Sequence, residues 1–318
     1  MCYSALVKQE AKDLGLEFKV RMDEQLTFDL FVRRSKGEDV KIPKAFEQNF
    51  KTPKTPTEKR IAKLIEQYRT EKIAELEADL FKQKNRNNNA KAALKEKTTK
   101  KAQNDLEVSE RQIERIKKRL DKIKDTKLRE SDARIYAFDY APVMIMKDGN
   151  RTLVPMRYHL RPPGMKPDFD RKYPGCYNAR RDSLTGFWKK EFGSKHGVII
   201  LEAFFENVAK HDFEKRKLKK GEAKENLVLK FEPKEMEYMV VPIIWDLWTD
   251  GKTELYTFAL ITDEPPPEVL ETGHDRCPIF LKESNIDCWL KPEGKNQKEL
   301  FALLDDKETP FYNHALAG

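Results

Sequence analysis

The second residue of the chain, Cys2, presents two nucleophiles on one carbon framework once Met1 is removed. A small second residue permits that removal, which leaves a free α-amine beside the thiol. The ordinary pKa is roughly 7.7–8.0 for the amine and about 8.5 for the thiol, so a fraction of each is nucleophilic near neutrality. An aldehyde forms a Schiff base with such an amine, and the thiol then closes a thiazolidine ring. Cys2 is therefore a candidate for attack on an aldehyde, including one carried by a nucleic acid.

Three other side chains could position a substrate or move protons. Asn178 follows Gly175-Cys176-Tyr177, Glu206 ends the apolar run that begins at Gly197, and His274 begins the segment His-Asp-Arg-Cys-Pro. Taken singly, Asn178 is more simply a turn residue, Glu206 a surface acid and His274 a capped loop histidine. Only their order and spacing along the chain point to a common site.

The ordered set of motifs resembles the SRAP family, the SOS-response-associated peptidase-like proteins that crosslink to abasic sites. The resemblance covers about residues 1–50 and 135–290. The chain departs from the family pattern at several positions, among them Tyr3, where the family has glycine. The stretches that carry the resemblance are Met1-Cys2-Tyr3-Ser4, Phe138-Asp139-Tyr140-Ala141-Pro142, Arg157-Tyr158-His159-Leu160-Arg161-Pro162, Asn178-Ala179-Arg180-Arg181-Asp182, Ala203-Phe204-Phe205-Glu206-Asn207 and His274-Asp275-Arg276-Cys277-Pro278.

The resemblance implies a catalytic group of four residues. Cys2 would join covalently to the ring-opened aldehyde of an abasic site, and Asn178 would hold the reacting groups in register. Glu206 would move protons during ring opening and dehydration of the carbinolamine, and His274 would act beside it on the sugar hydroxyl. The implied activity is a self-modifying, lyase-like crosslinking reaction in the DNA damage (SOS) response, rather than high turnover.

The same resemblance implies a DNA-binding group. Arg180 and Arg276 would bind the phosphates that flank the lesion, because guanidinium forks suit phosphate geometry. Arg157 and Tyr158 would seat the DNA backbone and stack on a base exposed beside the gap. The expected partner is single-stranded or junction DNA that contains an abasic site.

The elements that must position these residues fall into two kinds. Apolar runs of strand length occur at 142–146, 198–201, 239–245 and 255–262, and residues 26–32 also have a strand-like pattern. Short helices are predicted around Ser183–Phe192 and at Gln297–Leu304. These patterns predict an α+β fold with a mostly antiparallel sheet formed by residues 1–50 and 135–318, and the resemblance to the SRAP family implies that this sheet is barrel-like.

A long helical segment interrupts this domain. No glycine or proline occurs from Thr57 to Arg134, and apolar residues recur at helical spacing, ending in a coiled-coil-like seam of Ile113, Ile116, Leu120 and Ile123. Thr57 is the expected N-cap, and residues 85–89, rich in asparagine, are the expected reversal. Residues 57–130 are thus predicted to form an inserted antiparallel hairpin, whose lysines either contact DNA or form solvated faces.

Composition narrows the class of protein. Sixty-two lysines and arginines oppose 54 acids, giving a net charge of +8 and a pI near 9.0, which suits a polyanionic partner. Without a membrane-spanning run or a secretion signal, we expect a cytoplasmic, nucleoid-associated protein. The spacing of Cys2, Cys176, Cys277 and Cys288 matches no metal site, so neither a metal nor another cofactor is expected, and the last three are expected to be small, partly buried thiols.

Two other functions remain open at this point. An autopeptidase, or cysteine-type peptidase, would cut before Cys2, although only Met1 precedes that residue. A non-catalytic nucleic-acid-binding adaptor would use the helical hairpin as its binding element, and the hairpin could equally hold a partner protein.

Overall fold

Twelve strands and eleven α-helices run through residues 3–317, which are the residues that this computed structural model describes. The strands are β1 (Ser4–Val7), β2 (Arg21–Met22), β3 (Arg134–Ile135), β4 (Tyr140–Lys147), β5 (Asn150–Tyr158), β6 (Asn178–Arg180), β7 (His196–Ala209), β8 (Asn226–Pro233), β9 (Met239–Thr249), β10 (Glu254–Asp263), β11 (Cys277–Pro278) and β12 (Tyr312–Leu316). The helices are α1 (Ala11–Phe18), α2 (Glu24–Ser35), α3 (Lys44–Glu47), α4 (Pro56–Glu96), α5 (Lys100–Lys124), α6 (Phe169–Lys172), α7 (Lys189–Phe192), α8 (Lys210–Phe213), α9 (Pro267–Leu270), α10 (Ile286–Leu290) and α11 (Gln297–Asp305).

Five strands close into a barrel. β4 pairs with β5 and β7, β9 pairs with β7 and β10, and β10 closes the ring by pairing with β5 in parallel. The other four pairings are antiparallel, and side chains such as Val198, Phe258 and Leu260 fill the core. The predicted α+β fold with a barrel-like, mostly antiparallel sheet is confirmed.

Gly197 marks the point where three barrel strands approach one another. A Cβ atom there would lie 2.8 Å from the Cδ1 of Ile243 and 2.9 Å from the carbonyl oxygen of Met144. Because both distances are shorter than a normal contact, only glycine fits between β4 and β9 without a shift of backbone.

The second half of β7 continues beyond the barrel and is flanked on both edges. β1 pairs with residues 201–205 of β7, and β8 pairs with residues 204–209. β2, from the same N-terminal region as β1, also joins the sheet and pairs with β5. The C-terminal half of β7, which includes Glu206, therefore lies between β1 and β8.

Residues 26–32 are helical, so the strand predicted there is wrong. They belong to α2, whose start is capped by the Asp23 carboxylate, which accepts a hydrogen bond from the amide of Leu26 at 2.9 Å. Thr27, Leu30, Phe31 and Arg34 are its buried residues, a helical spacing that the partial alternation concealed.

The chain divides into two compact units. The first contains residues 3–30, Asp39–Thr52 and 130–317, and the second contains Phe31–Glu38 and Pro53–Arg129. Within residues 3–317, every helix is too short or too polar to cross a bilayer.

The second unit is dominated by α4 and α5, which pack against each other along an apolar seam. Leu76, Ile116 and Leu120 are buried in it, and Ile123 packs at its edge, as the spacing predicted. The N-cap is Thr55 rather than Thr57: its hydroxyl accepts from the amide of Glu58, whose side chain bonds back to Thr55, and Pro56 occupies the first helical position.

The reversal predicted at residues 85–89 is also wrong, because α4 continues to Glu96 and the chain turns at residues 97–99. Asn87 donates a hydrogen bond from its side-chain amide to the Ser109 hydroxyl at 3.0 Å, and Arg86 binds Asp105 at 2.6 Å. These contacts across the hairpin outweigh the weak helix propensity of the asparagines.

Candidate active site

A buried carboxylate and an imidazole meet at the end of β7. The Oε2 of Glu206 lies 3.0 Å from the Nε2 of His274, and the two side chains are 0% and 9% exposed. Burial raises the pKa of Glu206 above its ordinary value, against the opposing effect of His274. A carboxyl group with a raised pKa is a better proton donor near neutrality than an exposed one.

The backbone of Arg276 fixes the other side of the imidazole. The Nδ1 of His274 lies 2.9 Å from the carbonyl oxygen of Arg276 and 3.3 Å from its amide nitrogen. With a proton on Nδ1, the ring donates to the carbonyl and its Nε2 accepts from neutral Glu206. With the proton on Nε2 instead, the ring donates to the Glu206 carboxylate and accepts from the Arg276 amide. Both neutral tautomers therefore find hydrogen-bond partners, one beside neutral Glu206 and the other beside its carboxylate, so the pair keeps its hydrogen bonds whether or not Glu206 carries its proton.

Gly273 places His274 in this position. Its φ of +94° is a conformation that favours glycine, and a Cβ atom would lie 3.0 Å from the Cβ of Asp212. The turn between α9 and β11 thereby directs the imidazole toward β7.

The N-terminal strand passes beside the Glu206–His274 pair. Tyr3 is the first described residue, and its amide donates to the carbonyl of Phe205 at 2.8 Å. Ser4 pairs with Phe205 in the antiparallel register, so Tyr3 lies beside Glu206, and its amide favours the charged carboxylate. Cys2 itself lies outside the described residues, and its role stays a prediction.

Asn178 and the two predicted phosphate-binding arginines come together through strand pairing. Asn178 is buried at the start of β6, which runs parallel to β10 and ends at Arg180. Asp182 contacts both arginines, at 3.1 Å from Arg180 and 3.9 Å from Arg276. Since the Arg276 backbone holds His274, the arginine pair and the Glu206–His274 pair belong to one region.

Tyr158 does not lie on the surface, and the prediction that it stacks on a DNA base is wrong for this structure. It is 0% exposed and stacks on Phe258, with ring centroids 5.1 Å apart. Tyr158 and Arg157 alternate across β5, so the tyrosine faces the barrel core while the arginine faces the other way. Arg157 is itself held by Asp170 at 2.8 Å and its side chain is only 11% exposed.

Asp170 anchors a charged cluster behind β5. It accepts hydrogen bonds from Arg157 and Arg161, and Arg161 also lies over the ring of Trp248. Burial opposes ionisation of Asp170, but the hydrogen bonds from Arg161 and Arg157 outweigh it and hold its pKa below the ordinary value. The cluster therefore supports the fold at the position where the motif predicted a DNA contact.

We expect the Asp170→Asn variant to lose roughly 3–5 kcal/mol of unfolding free energy near neutral pH, because two nearly buried guanidinium groups lose their counter-charge. A folded-state pKa below 3.8 means that this stability is present above 3.8 and is lost as the pH falls through the folded-state value. Urea unfolding across that range measures the effect. Asp168→Asn, the same change at a half-exposed carboxylate two residues away that pairs only with the exposed Arg171 and Lys172, is the control and should leave stability nearly unchanged. Equal losses in the two variants would refute the cluster's role.

Residue pattern alone missed a group of aromatic and basic side chains beside Tyr3. Arg134 donates to the Ser4 hydroxyl at 2.9 Å and lies over the Phe205 ring at 3.5 Å. The rings of Tyr136 and Tyr3 meet edge to face with their centroids 5.8 Å apart, and the two residues are 41% and 37% exposed. The only signal in the sequence was the replacement of the family glycine by Tyr3.

The remaining cysteines fall into two groups. Cys277 and Cys176 are buried, and burial raises the pKa of both thiols, that of Cys176 to about 11. Cys288 is exposed, contrary to the expectation of partial burial. Burial first, and then the charge of Glu206, raises the pKa of Cys277, so this enclosed thiol is protonated near neutrality. Within residues 3–317, no three His, Cys, Asp or Glu side chains are grouped to hold a metal.

The family is shown by comparison with known proteins. The family model described as SOS response associated peptidase (SRAP) matches residues 80–315, well over half of the chain. The chain therefore belongs to the SRAP family. Asn178, Glu206 and His274 lie within the matched residues, whereas Cys2 precedes them.

Curated relatives share moderate identity with the chain. The abasic site processing protein YobE of Bacillus subtilis (strain 168) is 28% identical over 165 residues, which span 50% of this chain and 68% of the relative. The abasic site processing protein YoqW of Bacillus phage SPbeta is also 28% identical over 165 residues, spanning 50% and 67%.

Solved structures show a looser likeness. A protein from Bacteroides thetaiotaomicron has a TM-score of 0.46 at 17% identity, covering 57% of this chain and 76% of its own. A protein from Bordetella bronchiseptica has a TM-score of 0.46 at 13% identity, covering 61% and 90%.

Proposed function

We propose that the chain processes abasic sites by forming a covalent thiazolidine crosslink between Cys2 and the ring-opened sugar aldehyde. The observation that carries the proposal is the buried Glu206–His274 pair, 3.0 Å apart, beside the strand that follows Cys2. Membership of the SRAP family and the names of the relatives, which are abasic site processing proteins, support the same substrate.

The chemistry begins with the α-amine of Cys2. Its nitrogen attacks the aldehyde carbon to form a carbinolamine, and neutral Glu206 then donates a proton to the hydroxyl, which leaves as water. The sulfur of Cys2 adds to the resulting iminium carbon and forms the carbon–sulfur bond. The ring nitrogen keeps its one hydrogen, and the thiol proton passes to the Glu206–His274 pair, which replaces the proton that Glu206 donated. One cysteine and one aldehyde thus give one thiazolidine and one water, with no oxidant or reductant.

In this scheme His274 returns a proton to Glu206. After Glu206 has donated its proton, His274 in its imidazolium form can return one through Nε2. The Nδ1–H tautomer then remains and donates to the carbonyl oxygen of Arg276. The enclosure of the pair strengthens these interactions, because a low local dielectric increases electrostatic and hydrogen-bond energies.

Phosphate binding is assigned to Arg180 and Arg276. Both now share the carboxylate of Asp182, which is 65% exposed, and a DNA phosphate can take its place. The Nε of Arg276 has no hydrogen-bond acceptor within residues 3–317, so an added phosphate oxygen would satisfy a buried donor. Asn178 precedes Arg180 on β6 and holds the sugar in register. Tyr3 and Tyr136 replace Tyr158 as the surface on which a base stacks.

An abasic oligonucleotide tests the proposal against a matched analogue. We expect a heat-stable adduct with a single strand that contains a natural abasic site, and none with a tetrahydrofuran analogue, which lacks the hydroxyl needed for ring opening. Intact mass of the adduct should equal protein plus DNA less one water. Equal adduct yield on both oligonucleotides would overturn the aldehyde mechanism.

A further inference from the structure

The net charge of the chain is concentrated at one end of the helical hairpin. Residues 82–101, defined here as the hairpin tip, contain eight lysines and arginines and a single acid, Glu96, for a net charge of +7. The whole chain carries +8, so all other residues together contribute only +1. The attraction of the chain for a polyanion therefore originates mainly in the tip.

The tip presents its charge to solvent. Lys82, Lys84, Lys91, Lys95, Lys97, Lys100 and Lys101 are all exposed. Of the eight basic residues of the tip, only two form ion pairs within residues 3–317: Arg86 pairs with Asp105, and Lys91 pairs with Glu110 at 3.8 Å. A row of lysines with so few acidic partners repels itself unless a counter-charge arrives from outside the chain.

The interior of the hairpin near the tip explains how the charge is held outward. Ala90 and Ala102 are buried there, and the buried Asn87–Ser109 hydrogen bond spans the two helices. Thr99 caps α5 by accepting from the amide of Ala102. Small and polar side chains thus close the hairpin without taking up any lysine, so the tip is an ordered platform.

An exposed aromatic ring adjoins this platform. Phe81 is 67% exposed on α4, and Lys84 lies three residues further along, on the same face of the helix. Exposed aromatic rings beside lysines are typical of single-stranded nucleic acid surfaces, where a base stacks on the ring while phosphates contact the charges.

We propose that the hairpin tip is a second, reversible DNA-binding surface that contacts phosphates of a single strand and stacks a base on Phe81. This inference rests on the proposed function only for the identity of the polyanion as DNA. It assigns the affinity for undamaged strand to the tip and the covalent chemistry to the region of Glu206 and His274.

The test uses two variants of the full chain with equal loss of charge. The tip variant changes Lys95, Lys97, Lys100 and Lys101 to glutamine, and the control changes Lys59, Lys63, Lys117 and Lys118, which are exposed elsewhere on the hairpin. Binding to undamaged single strands of about 40 nucleotides is measured by anisotropy over a range of salt concentrations. We expect the tip variant to bind about tenfold or more weakly and to lose about 2–3 from its salt slope, and the control to lose less than about 1.

Two further measurements separate the possible outcomes. Phe81→Ala should weaken binding to single strands and leave binding to duplex unchanged, since duplex bases are already stacked. The tip variant should still crosslink to a short abasic oligonucleotide supplied at a saturating concentration. Failure of the wild-type chain to crosslink would therefore count against the proposed function and not against the role of the tip. Equal salt slopes in the tip and control variants would overturn the inference. Unchanged DNA binding in the tip variant would also overturn it and would favour an acidic protein as the partner of the tip.

Discussion

We expect the Cys2→Ala variant to form no heat-stable adduct with an abasic oligonucleotide, a loss of at least about 100-fold, because alanine keeps the α-amine but cannot close the thiazolidine ring. A reversible Schiff base with the amine should persist, and borohydride reduction should trap it in the variant. Denaturing gels with and without borohydride therefore measure the thiol and the amine separately.

Cys277→Ala provides the matched control for this prediction. Cys277 is buried close to Glu206, and burial raises the pKa of its thiol, so it is protonated near neutrality. The control should crosslink like the wild type. A normal yield of adduct in Cys2→Ala, or loss of the adduct in Cys277→Ala with the fold retained, would move the nucleophile away from Cys2.

The strands of the barrel were predictable because their apolar runs are long and are bounded by turn residues. The closure of the barrel was not, because the parallel pairing of β5 with β10 joins segments far apart in sequence and leaves no local pattern. The end of α4 was mispredicted for a similar reason. Asn87 is a poor helix former in isolation, and only its contact with Ser109 on the other helix makes it acceptable.

The site was accessible to sequence reasoning only through motifs taken together. Nothing local distinguishes Glu206 from a surface acid, since its burial depends on β1 and β8 covering both edges of β7. The motif also could not show which face of β5 meets the core, and so Tyr158 was assigned to DNA although it packs inside. Periodicity gives alternation along a strand but does not say which face is buried.

Glu206→Gln should lower the crosslinking rate by about 10²–10⁴-fold while leaving the fold intact, because glutamine accepts a hydrogen bond from His274 but donates no proton to the leaving hydroxyl. Burial raises the pKa of Glu206, so the wild-type rate should fall as the pH rises through that value and the acid form is lost. The variant should lack this descending limb. Single-turnover crosslinking across the pH range measures both effects.

We expect Glu206→Gln to be more stable than the wild type although it crosslinks more slowly. A carboxyl group whose folded-state pKa is raised contributes stability that is present below its ordinary value of 4.5 and is lost as the pH rises through the folded-state value. Glutamine does not ionise, so the variant should gain stability relative to the wild type over that interval. A merely structural role for Glu206 predicts the reverse, a loss of stability together with activity.

Glu202→Gln is the control for the Glu206 substitution, since it makes the same chemical change on the same strand, and burial also raises the pKa of Glu202. Glu202 precedes the pair by four residues on β7, and we expect its variant to crosslink at nearly the wild-type rate. Intact mass of Glu206→Gln adds a separate check, because retained Met1 would favour self-cleavage and an autopeptidase. If Glu206→Gln instead loses Met1, crosslinks slowly and shows no fall in rate as the pH rises, Glu206 is assigned to proton transfer at the aldehyde.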